Sequence, residues 1–251
     1  MLLVEAGGEE NILQDVPLLV QYLQDTNANW NDTTEPSTNY CQSMNNNQCS
    51  MPHGRVMGGS SVLNYMIWTR GHPKDYDNWA AMGNTGWNYD NVKKYFQKAE
   101  NSTVVGRDAG FAGTTGPVPI TFTPFRTKVA DAFIKAGIST GGKQIDYNGA
   151  QQLGYSWIQT NTRNGRRVST NRAYLDKIRS GTLKRANLQT KTNCRVSKVL
   201  IDPITKKVNG VQTYNTYKEH CEQILRKTVY ADFTINFAFR KIIHRTRQSI
   251  A

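Results

Sequence analysis

Residues 52–61 read Pro-His-Gly-Arg-Val-Met-Gly-Gly-Ser-Ser, and three glycines in six positions, Gly54, Gly58 and Gly59, commit the chain there to a tight turn. Residues 62–70 continue as a mainly apolar run, which predicts a buried helix beginning at the glycine pair with Ser60 or Ser61 as the capping hydroxyl. A helix start of that kind aims backbone N–H groups and a positive dipole end at the space before it, suiting a pyrophosphate or an electron-rich ring edge. The same pattern also describes a tight turn that only feeds a core helix.

The rest of the composition allows such a core. The chain has 251 residues, 38% hydrophobic and 10% aromatic with five Trp, a globular make-up that needs no disulfide scaffold. No apolar run approaches the roughly 20 residues of a membrane-spanning helix, and the four residues before Glu5 are too few for a signal-peptide core. The expectation is a chain without a membrane span or an export signal of its own. The net charge of +12 is uneven: residues 1–100 hold six Lys or Arg against eleven Asp or Glu, and the remainder 25 against eight. Only Arg163, Arg166 and Arg167 cluster mid-chain, with no interleaved aromatics, so the excess reads as a solvated basic face and no nucleic-acid partner is expected.

Cys41, Cys49, Cys194 and Cys221 form no CxxC pair, and no zinc or other metal site is expected. Cys41 and Cys49 flank an Asn-rich polar loop and would close a small disulfide in an exported chain; sequons at Asn31 and Asn101 point to the same compartment.

Residues 2–4 predict a short buried strand ending in Glu5 and a Gly7-Gly8 turn, the position at which a dinucleotide-binding fold places its ribose-binding acid. Residues 29–50 read as a surface loop. Helices are expected over 73–82, over 91–100 with Asp90 as cap and Val92, Tyr95, Phe96 and Ala99 as a buried stripe, and over 128–136. Strands are expected over 118–122, 155–162, 188–192, 196–201 and 208–214. Asn164-Gly165 signals a hairpin, Ser169 or Thr170 a helix start running through Leu175, and Asp202-Pro203 a turn. The mixture predicts an α/β (α+β) fold.

The run Gly54-Arg-Val-Met-Gly58-Gly59-Ser60-Ser61-Val-Leu-Asn64-Tyr-Met-Ile, followed by Arg70-Gly71, Asp75-Tyr76 and Trp79, closely resembles the first signature of the glucose-methanol-choline (GMC) flavoprotein oxidoreductases. Gly86-Trp87, residues 95–100, Asp146-Tyr-Asn148-Gly149, Gly154-Tyr155 and residues 167–175 and 196–211 extend the resemblance, which is nearest the exported insect glucose dehydrogenase branch; Cys41 and Cys49 look like that branch too. The resemblance implies a dinucleotide-type FAD-binding domain with part of a second, substrate-facing domain. It implies hydride transfer from an alcohol or sugar CH–OH carbon to flavin N5, a quinone-type electron acceptor and an extracellular location. Glu5 resembles the ribose acid; Val56, Gly58, Gly59, Ser60, Asn64, Tyr65, Met66 and Ile67 resemble the segment along the pyrophosphate and isoalloxazine; Val196 resembles the strand residue whose backbone meets the adenine. Leu63 stands where some members carry a flavin-bonded His, so the FAD is expected to be non-covalent.

Three departures from the family pattern set further expectations. The family's GxGxxG loop is absent before Leu2, its second signature does not follow Val229, and none of His53, His72, His220 or His244 lies in the motif of the family's catalytic base. The chain is therefore expected to be truncated at both ends, inactive, poorly soluble and weak or lacking in FAD binding, with no catalytic residue assigned. The domains are expected as 1–115 and 169–231 for partial FAD binding, 116–168 for the substrate domain, and 232–251 as a non-family tail. The competing reading is a non-catalytic binding protein that reuses a GMC half-domain.

Overall fold

The strand at Leu2–Val4 forms and pairs in parallel with Gln189–Lys191, Leu3 opposite Thr190, but it is not the buried strand expected, since Leu3 is exposed and Leu2 and Val4 are half-buried. In the computed structural model residues 1–215 and 221–225 are described, with side chains to residue 214; the expected tail over 232–251 lies outside them. The chain divides into two compact units, Met1–Val4 with the chain from Asn187 onward, and Glu5–Ala186.

In chain order the strands are β1 (Leu2–Val4), β2 (Asp32–Thr33), β3 (Ser50–Met51), β4 (Glu100–Ser102), β5 (Val118–Phe122), β6 (Gln159–Thr160), β7 (Thr162–Arg163), β8 (Arg166–Arg167), β9 (Gln189–Lys191), β10 (Cys194–Ile201), β11 (Val208–Asn215) and β12 (Cys221–Leu225). The main helices are α1 (Val20–Leu23), α2 (Pro73–Ala81), α3 (Tyr89–Ala99), α4 (Lys128–Ser139) and α5 (Asp176–Arg179).

The first unit holds β1 with β9 and an antiparallel sheet ordered β10-β11-β12. Lys206 closes the β10–β11 turn at φ +56, and Asp202 accepts from the N–H groups of Ile204 and Thr205. Cys194 is buried.

The second unit is built on the sheet β4-β5-β6, whose buried face carries Val118 and Ile120. These pack with Val104, Val168 and Ala173, and Trp68 and Phe122 close the cluster. Asn164 and Gly165 both take positive φ, the two-residue turn that matches strand twist, so Arg163 pairs with Arg166 and Thr162 with Arg167.

That register corrects the basic-face expectation. Cross-strand partners share a face: Arg163 and Arg166 are exposed, while Arg167, on the face of buried Thr162, is 1% exposed.

The helix expected over 62–70 is also corrected. A single 3-10 turn spans Gly59–Val62, with Gly58 at its cap and no side-chain cap bond, so neither Ser60 nor Ser61 caps it. The chain then extends. Met66 adopts φ +61, Asn161 N donates to Met66 O at 3.0 Å, Trp68 N donates to Gln159 O at 2.9 Å, and Ile67 bridges Thr160. Pairing with the β6 region outcompetes local helix formation. Buried Arg70 reinforces it, forming a two-pronged ion pair with Glu100 while Glu100 also accepts from Trp68 Nε1 and Gly113 N. Asn148 completes the anchor by accepting from Arg70 N and donating to Trp68 O.

Two smaller corrections concern α3. Its cap is Asn88, whose side chain accepts from Asn91 N, rather than Asp90; and the expected stripe is not buried, with Tyr95 exposed and Val92, Phe96 and Ala99 half-buried. The N-cap geometry of Asn88 is extended, which leaves Asp90 already inside the first turn. The helix over 169–175 begins with a π turn at Asn171–Leu175; Ser169 Oγ accepts from Arg172 N, as a capping hydroxyl would. Within the loop 29–50, β2 and the strand after it form a short hairpin, Asp32 opposite Met51, and Cys41 is disulfide-bonded to Cys49.

Candidate functional site

Two glycine turns meet in the second unit because neither tolerates a side chain at the contact. Gly8 bridges Val56 in parallel, and Met57 N donates to Gly8 O at 2.9 Å. A Cβ on Gly7 would stand 1.8 Å from Arg55 O, and one on Gly54 would stand 2.2 Å from the Gly59 carbonyl. These glycines are required by close backbone approach.

Gly58 (φ +105) and Gly59 (φ +56) then turn the chain through left-handed geometry. Gly59 differs from Gly54: a Cβ built there meets nothing within 4 Å, so the turn shows a bare backbone face to open space. Its rear is tied. Gly59 N donates to Val56 O at 2.7 Å, Gly54 N to Ser60 Oγ at 3.1 Å, and Ser61 Oγ to Gly58 O at 2.6 Å while accepting from Thr170 N at 2.9 Å.

Beyond the turn, Asn64 Oδ1 accepts from Met66 N at 2.9 Å and from Arg167 Nη1 at 3.0 Å. Met66 and Val56 are buried, whereas Asn64, Tyr65 and Ile67 are exposed. Glu5 is half-buried with its Oε1 accepting from Gly7 N at 2.8 Å. Burial pushes its carboxyl above the ordinary value, and the N–H groups of Gly7 and Ala6 and the charge of Arg55 oppose that rise.

Glu5, Val56, Gly58, Gly59, Ser60, Asn64, Tyr65, Met66 and Ile67 therefore all belong to the second unit. Val196 belongs to the first, half-buried in β10 opposite Thr213, beside a break in register.

Sequence reasoning missed the polar cluster behind the turn. Arg167 donates Nε to Gln14 O and Nη1 to Ser61 O, both at 3.0 Å, besides its bond to Asn64. Desolvation lowers its pKa to about 10, against the raising effect of Glu10 and Asp15. Glu10 Oε2 accepts from Ser169 Oγ at 2.6 Å and Asn171 Nδ2 at 2.9 Å, with Arg172 Nε at 3.6 Å. Burial raises the Glu10 carboxyl, opposed by those two donors and by Arg172. Arg172 also pairs with Asp15 and Asp176. Asn-Gly turn chemistry was the available signal for Arg167, because a two-residue turn fixes which of two adjacent arginines faces in.

Among the described histidines, His53 Nδ1 lies 3.4 Å from Asp32 Oδ2, and His72 Nδ1 caps α2 by accepting from Lys74 N at 3.1 Å. His220 lies outside the described residues. No cluster of metal-ligating side chains occurs among the described residues.

A family model described as GMC oxidoreductase matches residues 24–236. Glucose dehydrogenase (FAD, quinone) of Drosophila pseudoobscura pseudoobscura is 35% identical over 232 residues, covering 91% of this chain and 36% of that protein. Oxygen-dependent choline dehydrogenase of Sinorhizobium fredii is 34% identical over 205 residues, 80% of this chain and 35% of that protein. The chain thus spans about a third of the length of these curated relatives. Among solved structures, pyridoxine 4-oxidase from Mesorbium loti superposes with a TM-score of 0.77 at 29% identity, covering 89% of this chain and 42% of that one. An FAD-dependent oxidoreductase from Chaetomium thermophilum, at 23% identity and a TM-score of 0.76 over 90% of this chain and 39% of that one, shares the fold.

Proposed function

Because the chain belongs to the GMC oxidoreductase family, we propose that it forms the flavin-contacting part of an FAD-dependent enzyme that oxidises an alcohol or sugar at a CH–OH carbon. The observation that carries this reading is the bare backbone face at Gly59. A flat ring system or a pyrophosphate needs a surface without Cβ atoms, and the turn offers one while its back is pinned by Ser60, Ser61 and Arg167.

The residues fit FAD. Glu5 supplies a carboxylate able to accept from ribose hydroxyls, residues 58–60 supply backbone, and Asn64, Tyr65 and Ile67 border the open side. Leu63 is buried and has no nucleophilic atom, so attachment at this position is non-covalent. Bound FAD supplies the hydride-accepting N5. The chain's own residues bind and orient; the group that takes the hydroxyl proton is not assigned to any of them, since His72 serves as a helix cap and His53 sits beside Asp32.

By the same reading, residues 1–115 and 169–231 serve FAD binding and 116–168 face the substrate, with a quinone-type acceptor. The disulfide between Cys41 and Cys49 supports maturation in an oxidising, exported compartment. No helix among the described residues is long and apolar enough to cross a membrane.

The test is a titration of the purified chain with FAD followed by a turnover assay against alcohols and sugars with a quinone-type acceptor. Weak quenching of flavin fluorescence that saturates only at high FAD concentration, without turnover, is expected, because the glycine-rich phosphate loop of the family is absent before Leu2. Heparin retention with no flavin quenching would instead favour the non-catalytic binding protein.

A further inference from the structure

We propose that Asn31 carries an N-linked glycan. The sequence Asn31-Asp32-Thr33 meets the acceptor rule, an Asn followed two residues later by a hydroxyl with no Pro between. The fold presents it openly. Asn31, Asp32 and Thr33 are all exposed, and Asn31 enters β2 through φ +56, a left-handed conformation that Asn tolerates better than most residues. Its Oδ1 accepts from Asn29 Nδ2 at 3.0 Å, while its own Nδ2, the atom that takes the sugar, has no hydrogen-bond partner among the described residues.

A second feature of the same hairpin names the compartment. Thr34 N donates to Cys49 O at 2.9 Å, Cys49 N donates to Thr34 Oγ1 at 2.9 Å, and the Cys41–Cys49 disulfide closes the loop beyond. A disulfide forms where thiols are oxidised, and in an exported eukaryotic chain that is the compartment in which sequons are modified.

The sequon at Asn101 is built differently. Asn101 lies within β4, opposite Pro119 on one side and bridged to Thr114 on the other. Ser102 is buried, and Thr103 Oγ1 lies 3.5 Å from Ile120 O. The backbone around that acceptor is occupied on both sides, so the structure assigns the modification to Asn31.

The transfer balances without a redox step. The Asn31 amide nitrogen attacks the anomeric carbon of an oligosaccharide carried on a polyprenyl pyrophosphate. The C–N bond forms, the C–O bond to phosphate breaks, the lipid pyrophosphate leaves, and one amide proton passes to the transferase.

This inference rests on the export part of the proposed function and not on FAD binding. The full chain would be directed into the secretory pathway of a eukaryotic cell by an appended leader, and the cell and medium pools combined. Treatment with a peptide N-glycosidase should sharpen and lower the band and convert Asn31 to Asp in its peptide. Asn31→Gln and Thr33→Val should each remove that shift, and Asn101→Gln should leave it. An unmodified Asn31 peptide in a pool whose Cys41–Cys49 bridge has formed overturns the proposal. An unmodified Asn31 with both cysteines reduced overturns it together with the export reading, and FAD titration of the same material reports on the cofactor separately.

Discussion

Arg167 Nη1 donates to Asn64 Oδ1 at 3.0 Å, joining β8 to the segment that follows the glycine turn across 103 positions of sequence. The bond matters because Asn64 Oδ1 also holds Met66 N, so one buried cation sets the backbone on which Tyr65, Met66 and Ile67 are mounted.

Replacing Arg167 by Met should remove the donors to Gln14 O, Ser61 O and Asn64 Oδ1 and leave the Glu10 and Asp15 charges less balanced. A loss of about 3 kcal/mol is expected by urea denaturation, with Arg167→Lys recovering part of it. Wild-type stability in Arg167→Met would contradict the buried role.

Arg70 and Glu100 form a buried charge pair in the same unit. Glu100→Gln or Arg70→Met alone should cost about 3–5 kcal/mol, because each strands its partner. The double variant Arg70→Met with Glu100→Leu should cost less than the two losses added. A double-mutant cycle by equilibrium denaturation measures this, and simple additivity would show that the two side chains do not act as a pair.

The pH dependence follows from Glu5 and Glu10. Burial raises both carboxyls above the ordinary value of 4.5, so the folded chain binds protons more tightly than the unfolded one. Their contribution to stability is therefore greatest below pH 4.5 and declines as pH rises through the folded-state values. Glu10→Gln should flatten that decline in a series of denaturation curves from acid to neutral pH. An unchanged slope would mean that Glu10 is not the titrating group.

Glycine substitutions should separate packing from function. Gly54→Ala places a methyl 2.2 Å from the Gly59 carbonyl and should cost about 2 kcal/mol or more. Gly59→Ala has free space and bears only the left-handed backbone strain, about 1 kcal/mol. Equal melting temperatures for the two variants would contradict the description of the turn.

Much of this architecture was legible in the sequence, for reasons that differ from element to element. Alternation gave β5, a β-rich stretch gave β10, and the Asn164-Gly165 pair gave the hairpin, because pattern, propensity and turn chemistry are local. The segment after Val62 was misread. Its apolar residues suit a helix, but it is recruited as an extended segment by Gln159 and Asn161 and by the Arg70–Glu100 pair, partners that no local window contains. Arg167 was hidden by its neighbours: beside Arg163 and Arg166 it reads as part of a charged surface, and only the cross-strand register turns it inward. Of the candidate site, the glycine turn was visible because backbone geometry restricts residue choice. Its buried support at Glu10, Arg167, Ser169 and Asn171 was not, since polar residues carry no periodic signal of burial.

The central claim, that the open face of the glycine turn receives FAD, is tested most directly by Gly59→Asn. Asn tolerates the φ of +56, and its side chain would enter the space where a Cβ now meets nothing. Titration with FAD, read by quenching of flavin fluorescence beside a thermal melt of the same sample, should show wild-type quenching that Gly59→Asn abolishes while the melt moves by only a few degrees. If Gly59→Asn and the wild-type chain quench FAD alike, the cofactor does not sit on this turn.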